Sequence, residues 1–192
     1  MIAIIKYNAG NIRSVQNALD RLGYQSKVTD DIKEIQAADK IIFPGVGEAS
    51  SAMQYLKERK LDICIKSLKQ PVLAICLGLQ LMCKYSEEGN TECLGIFNST
   101  VKKFPPVEIV PHMGWNNFTK IKEEIFRGIK LEDDVYFVHT YYATLSENTI
   151  AESKYILPFS AAMKRENFYA TQFHPEKSAA VGEQILKNFL QL

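Results

Sequence analysis

The sequence predicts an α/β fold: a single domain over residues 1–192, with a central, mainly parallel sheet flanked by helices and antiparallel strands in the C-terminal half. Three observations carry that expectation. The first half alternates short apolar runs with amphipathic stretches, the order that builds a parallel sheet covered on both faces. In the second half, β-like runs crowd together at hairpin spacing. The 192 residues are 46% hydrophobic and 23% charged, with no internal repeat or linker, which suits one globular core.

Met1 to Ile5 reads as a buried strand. Ile12, Val15, Leu19 and Leu22 then recur at helical spacing, with Asn11 as N-cap and Gly23 just past the end. Lys40 to Phe43 is a second buried strand, broken by Pro44-Gly45-Val46-Gly47, and a helix follows from about Ala49. Val72 to Ile75 is a third strand, and a helix from Leu77 to Tyr85 begins at once after it. The later β-like runs are Gly95 to Lys103, Val135 to Val138, Ile150 to Ala151, Phe159 to Met163 and Phe168 to Phe173, with a turn at Asn167. A closing helix, Ser178 to Leu192, places Val181, Ile185, Phe189 and Leu192 on one face.

Charge excludes one class of partner. Lys and Arg number 23 against 22 Asp and Glu, a formal net charge of +1, which argues against nucleic acid. No segment reaches the ~20 apolar residues of a membrane span. The opening MIAIIKYN lacks the basic region of an export signal, so a cytoplasmic protein is expected. The four cysteines, Cys64, Cys76, Cys83 and Cys93, form no C-x-x-C pair, and there are only three histidines. Free thiols in a reducing compartment, no metal site and no cofactor are therefore expected.

Cys76 sits where a buried strand hands over to a helix. A side chain on such a turn projects from the carboxyl end of the sheet, where α/β sheets bind ligands. The helix N-terminus offers free N–H groups and positive potential, which favour the nucleophilic thiolate, and the Leu77 N–H points toward an oxyanion formed beside the sulfur. The plainer alternative is one more buried cysteine. His174 and Glu176 lie two apart in F-H-P-E, on one face of an extended chain and stiffened by Pro175. They suit a base and the carboxylate that orients it. A structural histidine is the plainer alternative, and His112 and His139 compete for the role of base.

These residues resemble the class-I, triad-type glutamine amidotransferases, and most closely the glutaminase subunits of imidazole glycerol phosphate synthases of histidine biosynthesis. The stretches run in the family's order along essentially the whole chain: Y-N-A-G-N-I-R-S-V at 7–15, P-G-V-G at 44–47, C-L-G-L-Q at 76–80, S-E-E-G at 86–89, P-H-M-G-W-N at 111–116, Y-F-V-H-T-Y at 136–141 and Q-F-H-P-E-K-S at 172–178. Two departures stand out. The family usually has Gly two residues before the nucleophile, where this chain has Ala74, a methyl group expected to strain the turn. The first strand usually ends Asp-Tyr-Gly, where this chain has Lys6-Tyr7-Asn8.

The resemblance implies a triad of Cys76, His174 and Glu176 that hydrolyses L-glutamine through a thioester. It implies an oxyanion hole from the backbone N–H groups of Val46 and Leu77. The glutamine lining would be Gly47, Gln80, Glu88, His139, Thr140 and Tyr141, with Glu88 facing the ammonium and Thr140 the carboxylate. Read without the family, Gln80 and Glu88 are solvated surface residues and Tyr141 is core. The glutaminase motifs consume the chain, so the ammonia-using chemistry is expected on another polypeptide. The family's partner is a (β/α)8-barrel cyclase that forms imidazole glycerol phosphate and an aminoimidazole carboxamide ribotide. The heterodimer face would include Pro111, His112, Met113, Gly114, Trp115, Asn116 and Lys177. Core packing is the alternative for Trp115, the only Trp. Competing expectations are a glutaminase for another synthase, such as the one making pyridoxal phosphate, a cysteine peptidase on a related fold, and a triad-bearing regulatory protein without turnover.

Overall fold

The computed structural model describes residues 1–8 and 11–192. Positions 9 and 10, inside the Y-N-A-G-N stretch, lie outside the described residues. The first half runs β1 (Ile2–Ile5), α1 (Ile12–Arg21), β2 (Ser26–Thr29), α2 (Ile32–Ala37), β3 (Lys40–Phe43), α3 (Ala49–Glu58), α4 (Leu61–Ser67), β4 (Val72–Ile75) and α5 (Leu77–Met82). The three predicted strands and the start of α3 fall where expected. Three elements were not foreseen. β2 has a single fully buried position, too little for an apolar run, and α2 and α4 are too short to display a helical period.

The second half runs β5 (Tyr85–Ser86), β6 (Thr91–Glu92), β7 (Thr100–Lys103), β8 (His112–Asn116), β9 (Lys120–Ile121), β10 (Val135–His139), β11 (Tyr141–Ala143), β12 (Thr149–Tyr155), β13 (Leu157–Arg165), β14 (Phe168–Thr171) and α6 (Ala179–Leu190). The main sheet has the order β2-β1-β3-β4-β14-β13-β12-β9. Neighbours from β2 through β14 are parallel, and those from β14 to β9 are antiparallel. The mixed α/β architecture is thus the one the sequence predicts.

Several local expectations are corrected. α5 stops at Met82, three residues early, because all six of its residues are buried and the chain leaves to pair as β5. The strand within Gly95 to Lys103 begins only at Thr100, and the last strand ends at Thr171. The Val135 run leaves the main sheet and pairs with the P-H-M-G-W-N segment, while β11, β7, β5 and β6 form a third sheet. Asn11 begins α1 at φ 70° without any side-chain cap bond. Gly23 takes φ 80°, the left-handed stop expected of it. Leu192 is exposed, so the buried face of α6 is completed by Leu186 and Leu190. The Asn167 turn is as predicted, and its amide ties the hairpin to the Leu68 and Gln70 carbonyls ahead of β4, at 3.0 and 2.9 Å.

Strand alternation divides the core between the two faces of the sheet. Ile5, Ile41, Phe43 and Val72 pack toward Leu56, Leu61 and Ile65 of α3 and α4. Ile4, Ile42, Leu73 and Ile75 pack toward Val15, Leu19, Ile185 and Phe189 of α1 and α6. Among the described residues no helix is long and apolar enough to cross a membrane. α6 also presses on the turn at Pro175–Lys177. A Cβ on Gly182 would lie 1.9 Å from the Pro175 carbonyl oxygen. Gly182→Ala must therefore push that turn away. A fall of roughly 3–10 °C in thermal midpoint is expected, checked by calorimetry against wild type.

Candidate active site

The site lies at the carboxyl ends of β3, β4 and β14, where a parallel sheet presents its loops. Cys76 occupies the one-residue corner between β4 and α5 at φ 52°, ψ −106°, a conformation that costs an L residue about 1–3 kcal/mol. Its N–H donates to the Thr171 carbonyl at 2.7 Å, which fastens the corner to the end of β14. Gly78 makes the corner sterically possible. A Cβ there would meet the Phe43 carbonyl oxygen at 2.3 Å and the Ala74 methyl at 3.2 Å. Ala74 is thus accommodated in a regular strand against a glycine, and it does not carry the strain the sequence suggested. That strain sits at Cys76.

The Leu77 N–H donates to the Gly45 carbonyl at 3.2 Å, so this expected oxyanion donor is already engaged. The loop that engages it is tightly held. Tyr7, buried against Phe43, donates its hydroxyl to the Pro44 carbonyl at 2.6 Å, and no side chain fits at Gly45, where a Cβ would lie 2.2 Å from that hydroxyl oxygen. Of the departing first loop, Lys6 is exposed and Asn8 donates to the Ser51 carbonyl at 3.2 Å.

His174 and Glu176 are both buried, with Nδ1 and Oε1 2.8 Å apart. The cause differs from the expected extended strand. β14 has ended, and Pro175–Lys177 is a single 3-10 turn that folds the carboxylate back onto the ring. Ser178 Oγ donates to the His174 carbonyl at 2.7 Å, and the His174 N–H donates to the Tyr136 carbonyl at 2.9 Å. Burial alone lowers an imidazole, yet the Cys76 sulfur and Glu176 push His174 up to about 10. The Asn11 side chain, expected to cap α1, instead donates to Glu176 Oε1. Asn11 was missed because its signal, a polar residue at a helix start, is identical to that of a cap.

Beside the sulfur lies a pocket of ≈ 270 Å³. The structure brings Gly47, Gln80, Glu88, His139, Thr140 and Tyr141 together on its wall with Val46, Cys76 and Leu77. Gln80 is buried, contrary to a surface role. Its Nε2 donates to the Tyr141 carbonyl at 2.9 Å and to Gln172 Oε1 at 3.0 Å. Gln172 in turn donates to Cys76 Sγ at 3.6 Å, and its only sequence signal was an amide inside an apolar strand end. Glu88 is half-buried and accepts from the Ala49 N–H at 2.9 Å, and desolvation raises its carboxyl above the ordinary range. Val138 also lines the pocket, its carbonyl 3.9 Å from the sulfur. Among the described residues no cluster of three or more His, Cys, Asp or Glu is arranged to hold a metal ion.

The P-H-M-G-W-N strand alternates. Met113 and Trp115 are 63% and 54% exposed, and Trp115 leans edge-on against Tyr136 at 5.9 Å rather than packing in the core. Pro111, Gly114 and Asn116 are partly exposed, and Lys177 is exposed on its turn. His112 does not belong to this face. At 4% exposure it points inward, because period-two alternation reverses it relative to Met113. Its Nδ1 lies 3.0 Å from His139 Nε2, and the other nitrogens of the two rings face the Asn116 amide and the Tyr141 carbonyl, so all four are engaged by groups other than the sulfur.

The family model described as "Glutamine amidotransferase class-I" matches residues 3–192. A Bacteroides fragilis protein named imidazole glycerol phosphate synthase subunit HisH is 60% identical over 194 residues, covering 100% of this chain and 99% of its own. The Haemophilus influenzae protein of the same name is 45% identical over 99% of this chain and 96% of its own. The crystal structure of a glutamine amidotransferase from Thermotoga maritima shares the fold at TM-score 0.68 and 17% identity, covering 99% of this chain and 82% of its own.

The raised His174 yields a test. A folded value above the unfolded 6.5 gives stability that is whole below pH 6.5 and is lost as pH rises through about 10. In Cys76→Ala the largest raising influence is gone, so His174 is expected to titrate far lower, as followed by NMR of its ring protons. Identical His174 titrations in the two proteins would refute the influence of the Cys76 sulfur on the ring.

Proposed function

The chain belongs to the class-I glutamine amidotransferases, and from that membership we propose that it is the glutaminase subunit of an imidazole glycerol phosphate synthase. The observation that carries this reading is the 60% identity, over the full length of both chains, to a protein of that name.

In this proposal Cys76 Sγ attacks the side-chain amide carbon of L-glutamine. His174, oriented by Glu176 and Asn11, gives its proton to the departing nitrogen. Ammonia leaves and a γ-glutamyl thioester remains. His174 then takes a proton from water, the resulting hydroxide cleaves the thioester, and the proton returns to sulfur as glutamate departs. The half-buried Glu88 is offered to the substrate ammonium, and Thr140 with nearby backbone donors to its carboxylate. Leaving either charge unpaired in this pocket is costly.

The oxyanion is assigned to the Leu77 and Val46 N–H groups. The Gly45 carbonyl and the Val46 N–H belong to one planar peptide and point in opposite directions. Rotating that peptide releases the Leu77 N–H and turns the Val46 N–H inward in one movement. The 3.2 Å bond from Leu77 to Gly45 supports a chain that hydrolyses glutamine slowly until the peptide turns. The acceptor chemistry is assigned to a second chain, a (β/α)8-barrel cyclase that consumes ammonia to form imidazole glycerol phosphate and aminoimidazole carboxamide ribotide. It docks on the face of Met113, Trp115 and Lys177 in a cytoplasmic heterodimer. The free thiols of Cys64, Cys76, Cys83 and Cys93 suit that compartment.

The deciding experiment is glutamate release from free glutamine, by the chain alone and with a cyclase loaded with its ribotide. Stimulation of about 10²–10³-fold is expected, the worth of an oxyanion donor. Hydrolysis unchanged by the cyclase would reassign the partner, and none under any condition would end the glutaminase proposal. Cys76→Ala should fold, bind the cyclase and release no glutamate. Lys177 directly follows Glu176, so Lys177→Ala should weaken docking or activation; unchanged affinity and unchanged activation would remove it from the coupling.

A further inference from the structure

A single line of hydrogen bonds runs from the edge of the exposed β8 strand to the sulfur. Asn116 Nδ2 lies 3.3 Å from His112 Nε2, His112 Nδ1 lies 3.0 Å from His139 Nε2, and His139 Nδ1 lies 2.8 Å from the Tyr141 carbonyl oxygen. Gln80 Nε2 bonds the same carbonyl at 2.9 Å and Gln172 at 3.0 Å, and Gln172 reaches Cys76 Sγ at 3.6 Å.

Both ends fix the direction of the imidazole segment. The Tyr141 carbonyl only accepts, so His139 Nδ1 carries the proton and its Nε2 is a lone pair. His112 Nδ1 must then donate, which leaves His112 Nε2 as an acceptor. Asn116 supplies the matching donor. Its amide cannot be reversed, because Oδ1 accepts the Asn117 N–H at 2.8 Å while Nδ2 also donates to the Lys154 carbonyl at 3.1 Å. Only one proton assignment satisfies every link, and it leaves both rings neutral.

Packing holds the rings in this register. His112 is stacked between Phe137 and Tyr155, with centroids 4.9 and 4.2 Å away, and His139 lies against Phe104 and Phe159 at 5.3 and 5.1 Å. Burial pushes the pair down to about 4 and about 3, in keeping with neutral rings.

Since this pocket is proposed to take glutamine, on which the inference rests, we infer that His112 and His139 are positioning residues: a neutral imidazole pair, each protonated on Nδ1, that fixes the Tyr141 carbonyl and through it Gln80 on the glutamine-facing wall and the buried Gln172 behind it. Protonating either ring would set two donors face to face and break the line.

Two measurements on the full chain test it. Long-range proton–nitrogen NMR of the ring nitrogens at pH 7 should show Nδ1 protonated and Nε2 bare in both residues; a proton on Nε2 of either ring overturns the pair. Alkylation of Cys76 is then compared for a diazoketone analogue of glutamine and for iodoacetamide. His112→Phe should slow the analogue about tenfold, one well-placed hydrogen bond, and leave iodoacetamide within about twofold. His112→Asn, whose amide nitrogen stands in for Nδ1, should restore the analogue rate. Wild-type analogue labelling in His112→Phe, or equal loss with both reagents, overturns the positioning role. A wild-type chain that takes iodoacetamide but not the analogue refutes the glutamine assignment, and the proton positions then decide the pair alone.

Discussion

The active-site architecture depends on one tight backbone contact, the seat of Gly78 against the Phe43 carbonyl. Because residue 78 has no side chain, α5 can start directly at the end of β4 and close on the β3 loop. That closeness forces Cys76 into its left-handed corner, brings the Leu77 N–H to the Gly45 carbonyl and leaves the sulfur at the mouth of the sheet. The strain at Cys76 is balanced by bonds from two sides, from β14 through the Thr171 carbonyl and from the loop through Gly45. The same contact explains how an alanine fits at position 74: the missing Cβ at 78 leaves room for the methyl group.

The three histidines show how partners outweigh burial. All three are nearly excluded from water, and desolvation lowers each of them. His174 alone stands beside a sulfur and a carboxylate, and it ends up raised to about 10. His139 and His112 meet a carbonyl, an amide and each other, and they end up at about 3 and about 4. A charged ring suits proton transfer to a leaving nitrogen. A neutral ring suits a fixed scaffold, because it offers one donor and one acceptor in an invariant direction.

Much of this was legible in the sequence. β1, β3 and β4 announced themselves as continuous apolar runs, since burial on both faces removes any polar alternation to obscure them, whereas the parallel edge strand β2, with one buried position, did not. Cys76, His174 and Glu176 stood out only through the resemblance of the short motifs around them to the family; read alone, a buried cysteine and a structural histidine fit those positions equally. What escaped were relations across the chain. Asn11 and Glu176 are 165 residues apart, and nothing local distinguishes an amide that caps a helix from one that reaches a carboxylate. Gln172 and Gln80 are 92 apart, and their pairing exists only once β14 lies beside β4. The helix at Leu77 was drawn too long because a fully buried helix carries no amphipathic period to mark its end.

The β8–β10 hairpin joins these local and long-range features. Its alternation gives one strand two kinds of neighbour. Met113 and Trp115 meet the outside, while His112 between β8 and the pocket wall meets His139. β10 is tied to the triad turn by Tyr136, whose N–H donates to Ser178 Oγ at 2.9 Å and whose carbonyl receives the His174 N–H, and its Val138 carbonyl faces the sulfur. A two-stranded ribbon standing outside the main sheet has no further strand to hold it. Its position is set instead by the groups on its two faces. In the proposed heterodimer, a partner seated on Trp115 would press on the same piece of backbone that holds the His174 N–H and, through His139 and the Tyr141 carbonyl, reaches Gln80.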